Sequence, residues 1–559
     1  MKTPSKSNNI AEALTLQAMR QPHGIALILP ARKRAVTAWT DQRYTYAELN
    51  RLSDHLALGL IQLGLKPGTR VALMVPPSLE FFALFFALFK AGCVPVLIDP
   101  GIGLKPLKAC LGEAQPTVFI GITRAQVARM LMGWARETIQ HIITVGPRPL
   151  WRGLRYRDVL AAGQLAASDQ AILPEVAPND AAAILFTSGS TGIPKGVVYR
   201  HRHFAAQVDL IRDTYGMQPG EIDLPTFPPF ALFDPALGMT TVVPPMDFTR
   251  PASVDPAMLV SLIERYQVTN LFGSPALMNT LTRHLKRHAI QLPGLKRILS
   301  AGAPVHPSVI ERVHAAINDS ADIHTPYGAT ECLPLATIGG RDLAGELSDG
   351  NRQGRGICVG RPLEANRVRI IEISDQVIDR LESAVELRQG EIGEICVYGP
   401  TVTDTYWRRD AQTRLAKIKD CDGNTWHRMG DLGWIDEQGR IWFCGRKSER
   451  VQLAEQTLFT ECIEGRVNAL SGVYRSALVG VGDNGQHEPV IVVEAEPDVT
   501  SKDQRNALES AVLRKLSESP ETAMVKTVLL HKSLPVDIRH NAKIRRGQLA
   551  EWAGKQLGS

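Results

Sequence analysis

Leu49, Leu52, Leu56, Leu60 and Leu63 recur at near-heptad spacing until Gly64, and Thr45 with Glu48 forms a capping box ahead of them. That spacing predicts one amphipathic helix. Residues 71–75 and 94–98 are unbroken apolar runs on either side of an equally apolar stretch over 81–89. The pattern predicts strand, buried helix, strand, with both strands covered on both faces. Residues 182–186 read as a further strand running into a Gly-rich turn. Asp255-Pro256 opens a helix through Tyr266, followed by a strand over 269–272. The whole predicts a large α/β body of mixed sheets and helices. From about Gly445 the elements become a smaller set: a helix near 458–467, strands at 477–481 and 490–495, a helix around 508–516 and a strand at 525–530. They predict a separate α+β unit, dividing the chain into 1–445 and 446–559. The polar, Gly-rich stretch 339–356 reads as a surface loop.

Composition narrows the class. The chain has 559 residues, 44% of them hydrophobic and 21% charged, which excludes disordered and fibrous proteins and leaves room for a large core. A net charge of +6 over this length is too dilute for a nucleic-acid stripe or a polybasic membrane anchor. The eight cysteines are scattered without a C-x-x-C pair, so neither a zinc site nor a disulfide framework is predicted and a reducing compartment fits. Residues 1–14 lack the apolar core of a signal peptide, and the 81–89 stretch falls well short of the ~20 residues that cross a bilayer. A cytoplasmic protein with no transmembrane segment is expected.

The chemistry begins at Thr187-Ser188-Gly189-Ser190-Thr191-Gly192-Ile193-Pro194-Lys195-Gly196, directly after the 182–186 strand. Glycines let backbone N–H groups approach a phosphate, hydroxyls add donors, and Lys195 supplies positive charge. No Ser or Thr follows the lysine, so this is not a Walker A loop. A solvated turn is the ordinary reading of such a composition, but the density of donors after a buried strand favours a phosphate cradle.

With this segment, others downstream resemble the adenylate-forming superfamily of acyl-CoA synthetases, luciferases and nonribosomal adenylation domains. Ala301-Gly302-Ala303-Pro304 resembles its adenine-side strand end, and Tyr327-Gly328-Ala329-Thr330-Glu331 its aromatic-Gly-x-Thr-Glu motif. Gly390-Glu391-Ile392-Gly393-Glu394-Ile395 resembles a structural turn, and Trp426-His427-Arg428-Met429-Gly430-Asp431 the ribose motif. Gly445-Arg446 resembles the start of the hinge and Asn541-Ala542-Lys543-Ile544 the C-terminal lysine motif. The resemblance implies ATP and Mg²⁺. The 187–195 loop would hold the β and γ phosphates, and Glu331 with Thr187 would position Mg²⁺. Tyr327 would stack on adenine, Asp431 would accept the ribose hydroxyls, and Phe443 and Arg446 would complete the nucleotide wall. Lys543 would bridge substrate and phosphate oxygens in the transition state. His201 and His203 occupy a helix start and read as supporting residues, not as an acid or base.

Three departures from acyl-CoA synthetases redirect the expectation. Ser448 stands at the hinge Asp, and Glu455 stands at a Gly beside the pantetheine channel, adding bulk and charge where a thiol arm must pass. The C-terminal motif reads Asp537-Ile538-Arg539-His540-Asn541-Ala542-Lys543, and the acyl-pocket segment reads Phe233-Asp234-Pro235-Ala236-Leu237-Gly238. Both resemble the olefin β-lactone synthetases of bacterial long-chain hydrocarbon biosynthesis. There a 2-alkyl-3-hydroxy fatty acid is adenylated and its own hydroxyl displaces AMP. The resemblance implies an acyl cavity lined by Phe230, Phe233, Phe272 and Gly273, and assembly with other olefin-biosynthesis enzymes. Asp234 either caps the Pro235 turn or sits near the β-hydroxyl as a base or orienting acceptor. The alternatives are a long-chain fatty acyl-CoA or acyl-AMP ligase, separated by a thiol requirement, and a silent binding protein, against which Lys195, Glu331, Asp431, Arg446 and Lys543 all stand.

Overall fold

Two seven-stranded, largely parallel sheets organise residues 25–324. The computed structural model describes residues 9–32, 39–147, 151–187, 194–483, 485–536 and 543–558. In the first sheet the strands run in the order Leu154–Arg155, His141–Val145, Val118–Ile122, Arg70–Met74, Val94–Leu97, Ala181–Phe186 and Gly196–Arg200, with the last pair antiparallel. Neighbouring residues of a strand point to opposite faces. Ala72 and Phe119 therefore join a core with Leu107 and Trp134 on one face, while Leu73 and Ile120 join a core with Phe81 and Phe85 on the other.

The helix Leu79–Lys90 carries no polar face because it has none to present: every residue from Phe81 to Lys90 is buried. Ser78 caps it by accepting from the Phe81 amide. Buried Lys90 is satisfied by Asn50 Oδ1 and Ser53 Oγ at 2.8 Å and by Asp54 Oδ1 at 2.6 Å. The leucine-spaced helix forms as Tyr46–Gln62 with its Thr45–Glu48 capping box. Among the described residues no helix is long and apolar enough to cross a membrane.

The second sheet runs Asp322–His324, Arg297–Ser300, Asn270–Gly273, Ile222–Pro225, Thr240–Val242, Ile25–Arg32 and Trp39–Thr45. Its parallel strands are joined by helices such as Pro256–Tyr266, which starts with Asp255 as N-cap as the sequence predicts. The third sheet is eight-stranded and antiparallel, built around Thr425–Ile435, which pairs with Ile441–Arg446 and Gly393–Tyr398.

The stretch 339–356 is not a loop. It folds into helices Gly340–Leu343 and Glu346–Arg352, with Leu347 packed in a cluster with Ile338, Cys358 and Trp442. A Cβ on Gly350 would lie 2.5 Å from the Trp442 ring, so the glycine that reads as loop punctuation permits close packing instead. With so short a helix and one buried face, the polar residues outnumber the buried ones.

Beyond the third sheet lies a smaller α+β unit. Its central strand Glu488–Ala495 pairs antiparallel with Val473–Val481 and parallel with Thr527–Leu530. Leu478, Ile491 and Val493 face helices Thr460–Asn468 and Lys502–Ser517, while Ala477, Val490 and Val492 face helix Arg546–Leu557. Helix Thr460–Asn468 also packs on helix Glu346–Arg352 of the large unit.

Candidate functional site

The carboxyl ends of both parallel sheets open into one cleft of about 2580 Å³. Parallel α/β sheets gather ligands at this edge because the loops after the strands converge there. Thr187 follows Ala181–Phe186, Ala301 to Pro304 follow Arg297–Ser300, and Phe227 and Phe230 follow Ile222–Pro225; all line the cleft. The third sheet closes it with Tyr327, Gly328, Thr330, Glu331, Asp431, Phe443 and Arg446, and the small unit contributes Lys543.

Register in the third sheet brings the nucleotide-motif residues together. Asp431 lies directly opposite Arg446, whose guanidinium is 2.9 Å from Asp431 Oδ1. Tyr327 Oη donates to Asp431 Oδ2 at 2.6 Å, and the Tyr327 and Phe443 rings stand 6.1 Å apart. Burial pushes the Asp431 carboxyl up, and the Arg446 charge opposes that rise.

A second cluster forms around Glu331. Thr187 and Lys195 close the base of the Gly-rich loop: the Thr187 amide donates to the Lys195 carbonyl at 3.0 Å, and the Lys195 amide to Thr187 Oγ1 at 3.3 Å. Ser188, Gly189, Ser190, Thr191 and Gly192 lie outside the described residues. Lys195 Nζ sits 5.1 Å over the Tyr406 ring, and Tyr406 Oη donates to Glu331 Oε1 at 2.6 Å. Lys417 Nζ lies 6.0 Å from the same ring and donates to Thr403 Oγ1 at 3.3 Å. Burial lowers the Lys417 ammonium to about 8, with the Glu331 carboxylate acting against it. Tyr199 Oη donates to the Thr330 carbonyl at 2.5 Å and braces the turn that carries Glu331.

On the apolar side, the Phe230 ring stacks on Phe272 at 4.3 Å and meets Phe233 edge-on at 6.2 Å. All three line the cleft. Gly273 does not; it is buried where a Cβ would meet Leu277 and Met278, at 3.0 and 3.2 Å, so it serves strand-to-helix packing. Asp234 corrects both sequence expectations. It neither lines the cleft nor caps a helix: Phe233 is the N-cap residue of Asp234–Leu237, with no side-chain cap. Its fully buried carboxyl accepts from Thr241 Oγ1 at 3.0 Å and faces that of Asp223. Burial, and then the mutual repulsion of the pair, raises Asp234 well above the ordinary aspartate range; burial raises Asp223 to about 8.

These raised values give a pH signature. In the folded chain the pair holds protons that the unfolded chain has released, so stability falls as pH climbs from the ordinary aspartate range through about 8. Asp234→Asn is expected to flatten that fall. Calorimetric melting temperatures at pH 6 and pH 8.5 check it; an unchanged slope in the variant would mean the pair does not titrate as the burial implies.

The connection between the units is held on both sides. Lys447 Nζ pairs with Glu394 Oε1 at 3.0 Å on the large unit, while Glu449 pairs with Arg546 at 3.0 Å on the small one. Arg450 reaches back to Asp375 at 2.5 Å. Ser448 stands between them in the turn Lys447–Glu449 and lines the cleft. Glu455 is exposed in the turn between strands Val451–Gln452 and Thr457–Leu458 and does not line the cleft. His201 and His203 are buried at the start of helix His201–Tyr215, where His203 Nδ1 accepts from the Arg200 amide at 3.0 Å. Burial depresses both, His201 to about 4 and His203 to about 3, so they are neutral structural groups.

A family profile described as AMP-binding enzyme matches residues 16–407. The chain belongs to the AMP-binding enzyme family. It is 50% identical over 553 residues, 98% of each chain, to a protein of Xanthomonas campestris pv. campestris named olefin beta-lactone synthetase. A Stenotrophomonas maltophilia protein of the same name is 47% identical over 555 residues, again 98% of each chain. A crystal structure of the anthranilate CoA ligase AuaEII in complex with anthranoyl-AMP superposes with a TM-score of 0.78 at 18% identity, covering 100% of this chain and 99% of that one. That likeness establishes the adenylate-forming fold, with a large N-terminal and a smaller C-terminal unit.

In this AMP-binding enzyme the sequence reading misses Tyr406, Lys417 and Tyr199. Tyr406 is 75 residues from the Glu331 it holds and Tyr199 is 131 residues from Thr330, so no local pattern announces either contact. The donor set also bears on a metal. Among the described residues no group of three or more His, Cys, Asp and Glu could hold one. A hard cation held by one carboxylate and substrate phosphates needs no such cage, and half-buried Glu331 at the cleft wall fits that manner of binding.

Proposed function

We propose that this enzyme adenylates a 2-alkyl-3-hydroxy fatty acid and closes it to a β-lactone, releasing pyrophosphate and AMP. Identity of 50% over 98% of both chains to the Xanthomonas olefin beta-lactone synthetase carries this reading. In the first step a carboxylate oxygen attacks the α-phosphorus of ATP and pyrophosphate leaves. In the second, the 3-hydroxyl oxygen attacks the acyl carbon, the bond to AMP breaks, and the hydroxyl proton passes to the departing phosphate. No external thiol takes part.

The residue roles follow the charge that each step develops. Thr187 and Lys195 hold the outer phosphates. Glu331 and Thr187 would hold Mg²⁺, which would supply positive charge against the phosphates, and Tyr406 fixes the orientation of Glu331. Asp431 receives the ribose, Tyr327 stacks on the base, and Phe443 and Arg446 complete the nucleotide wall. Phe230, Phe233 and Phe272 receive hydrocarbon. The unit beyond Ser448 moves as a body about that residue and brings Lys543 to the α-phosphate.

A hydroxyl held beside an activated acyl carbon has a high effective molarity, which favours ring closure over capture from solution despite the strain of a four-membered ring. Incubation with ATP, Mg²⁺ and a 2-alkyl-3-hydroxy acid, without thiol, is expected to give β-lactone, AMP and pyrophosphate in equal amounts. Added coenzyme A should be neither consumed nor stimulating. Efficient conversion of a plain fatty acid to its thioester would overturn the reading in favour of an acyl-CoA ligase.

A further inference from the structure

The cleft does not stay on one side of the first sheet. Leu73 and Met74, adjacent on strand Arg70–Met74, both line it, although successive residues of a strand face opposite ways. On one face it reaches Phe81 and Phe85, in the core shared with Phe204 and Phe233. On the other it reaches Leu107 and Trp134, in the core shared with Ile98 and Phe186. The cavity therefore forks round the carboxyl edge of the sheet, beside Thr187; aromatic and aliphatic side chains line both limbs, with Arg124 at the start of helix Thr123–Met132 on the second.

The limbs differ at their far ends. Phe81 and Phe85 are 6% and 2% exposed, so the first limb ends inside the core. The second runs between helices Leu104–Ala114 and Thr123–Met132, where lining residue Leu104 is 56% exposed, so it opens to solvent. Exposed Val127, Met130 and Leu131 extend the apolar surface along the second of these helices.

We infer that the fork is a two-chain binding site, in which the closed limb takes one hydrocarbon branch of the substrate and the open limb between helices Leu104–Ala114 and Thr123–Met132 takes the other. The inference rests on the 2-alkyl-3-hydroxy acid reading, because only an acid branched next to its carboxyl carries two chains that diverge at the point where the cleft divides. Continuity of the open groove with the phosphate end of the cleft assigns it to the substrate. The closed limb sets a length limit on its chain, and the open limb tolerates any length.

Ala128 lines the open limb on helix Thr123–Met132 and is half-buried. Ala128→Trp fills that limb; Ala125→Leu is a smaller change on the same helix, for use if the first variant does not fold. Three acids are compared by pyrophosphate release: one with two long chains, one with a methyl at C2 and a long chain from C3, and one with a long C2 branch and a methyl at C3. The variant is expected to lose about tenfold or more in kcat/KM on the two-chain acid and on one of the single-chain acids, and to keep wild-type values on the other. An equal loss on all three, or no loss on any, overturns the fork. Lactone is measured in the same wild-type reactions. Pyrophosphate without lactone sinks the lactone reading but leaves the fork to be judged by the variant. No pyrophosphate from any branched acid overturns both.

Discussion

Lys543→Ala is expected to cut pyrophosphate release from ATP and acid by about 10²–10³-fold, the usual cost of deleting one preorganised charge at a reacting centre. Lys543 lines the same cleft as Thr187, Glu331 and Asp431 but belongs to the small unit, beside helix Arg546–Leu557. Attack at phosphorus places negative charge on the α-phosphate and on the departing pyrophosphate. A cation delivered there acts on the transition state more than on bound ATP. The variant should therefore retain nucleotide affinity, measured by equilibrium binding, while its turnover collapses. Near-normal pyrophosphate release would remove Lys543 from the mechanism.

The second large effect concerns stability. Glu394 is 1% exposed and accepts from Arg428 at 2.6 and 3.1 Å and from Lys447 at 3.1 Å, while Arg428 also donates to the carbonyls of Ser374, Gln376 and Leu415. Two cations share one buried carboxylate. Glu394→Ala leaves both uncompensated, and breaking a buried pair in this way costs about 3–5 kcal/mol. Urea unfolding followed by tryptophan fluorescence should show the loss in the transition of the large unit, and Glu394→Gln, which keeps the volume and one acceptor, should lose less. A wild-type midpoint for the alanine variant would show that the cluster is solvated enough to do without its anion. The prediction also gives a physical reason for two of the sequence motifs, since Gly393-Glu394-Ile395 and His427-Arg428-Met429 meet across the third sheet at this pair.

Much of this was legible along the chain. Capping residues marked helices Tyr46–Gln62 and Pro256–Tyr266, and apolar runs marked strands Arg70–Met74 and Val94–Leu97, because both signals are local. Motif order also brought Asp431, Tyr327, Arg446 and Glu331 to one cleft. What stayed hidden depends on pairing between distant segments. The register that sets Asp431 opposite Arg446 and the reach of Tyr406 to Glu331 are tertiary facts. Asp234 was misread for a related reason: a polar residue before proline looks like a turn cap, and nothing nearby announces Asp223 or Thr241 as its partners. The short helix Glu346–Arg352 was missed because its buried face is Leu347 and Gly350 among polar neighbours.

The ties on either side of Ser448 have a mechanical consequence. Lys447 is anchored to the large unit through Glu394, and Glu449 travels with the small one through Arg546. In the swing proposed above, the small unit would turn about a single pivot, the backbone of Ser448. Arg450 lies beyond that pivot yet grips Asp375 of the large unit, so the swing has to break this pair. Asp375 is 57% exposed at its side chain and Arg450 only 9%, so the pair is open to water on one side alone. The small unit is held at its resting angle by this pair together with the packing of helix Thr460–Asn468 on strand Ile441–Arg446 and on helix Glu346–Arg352, the segment whose sequence reads as a loop.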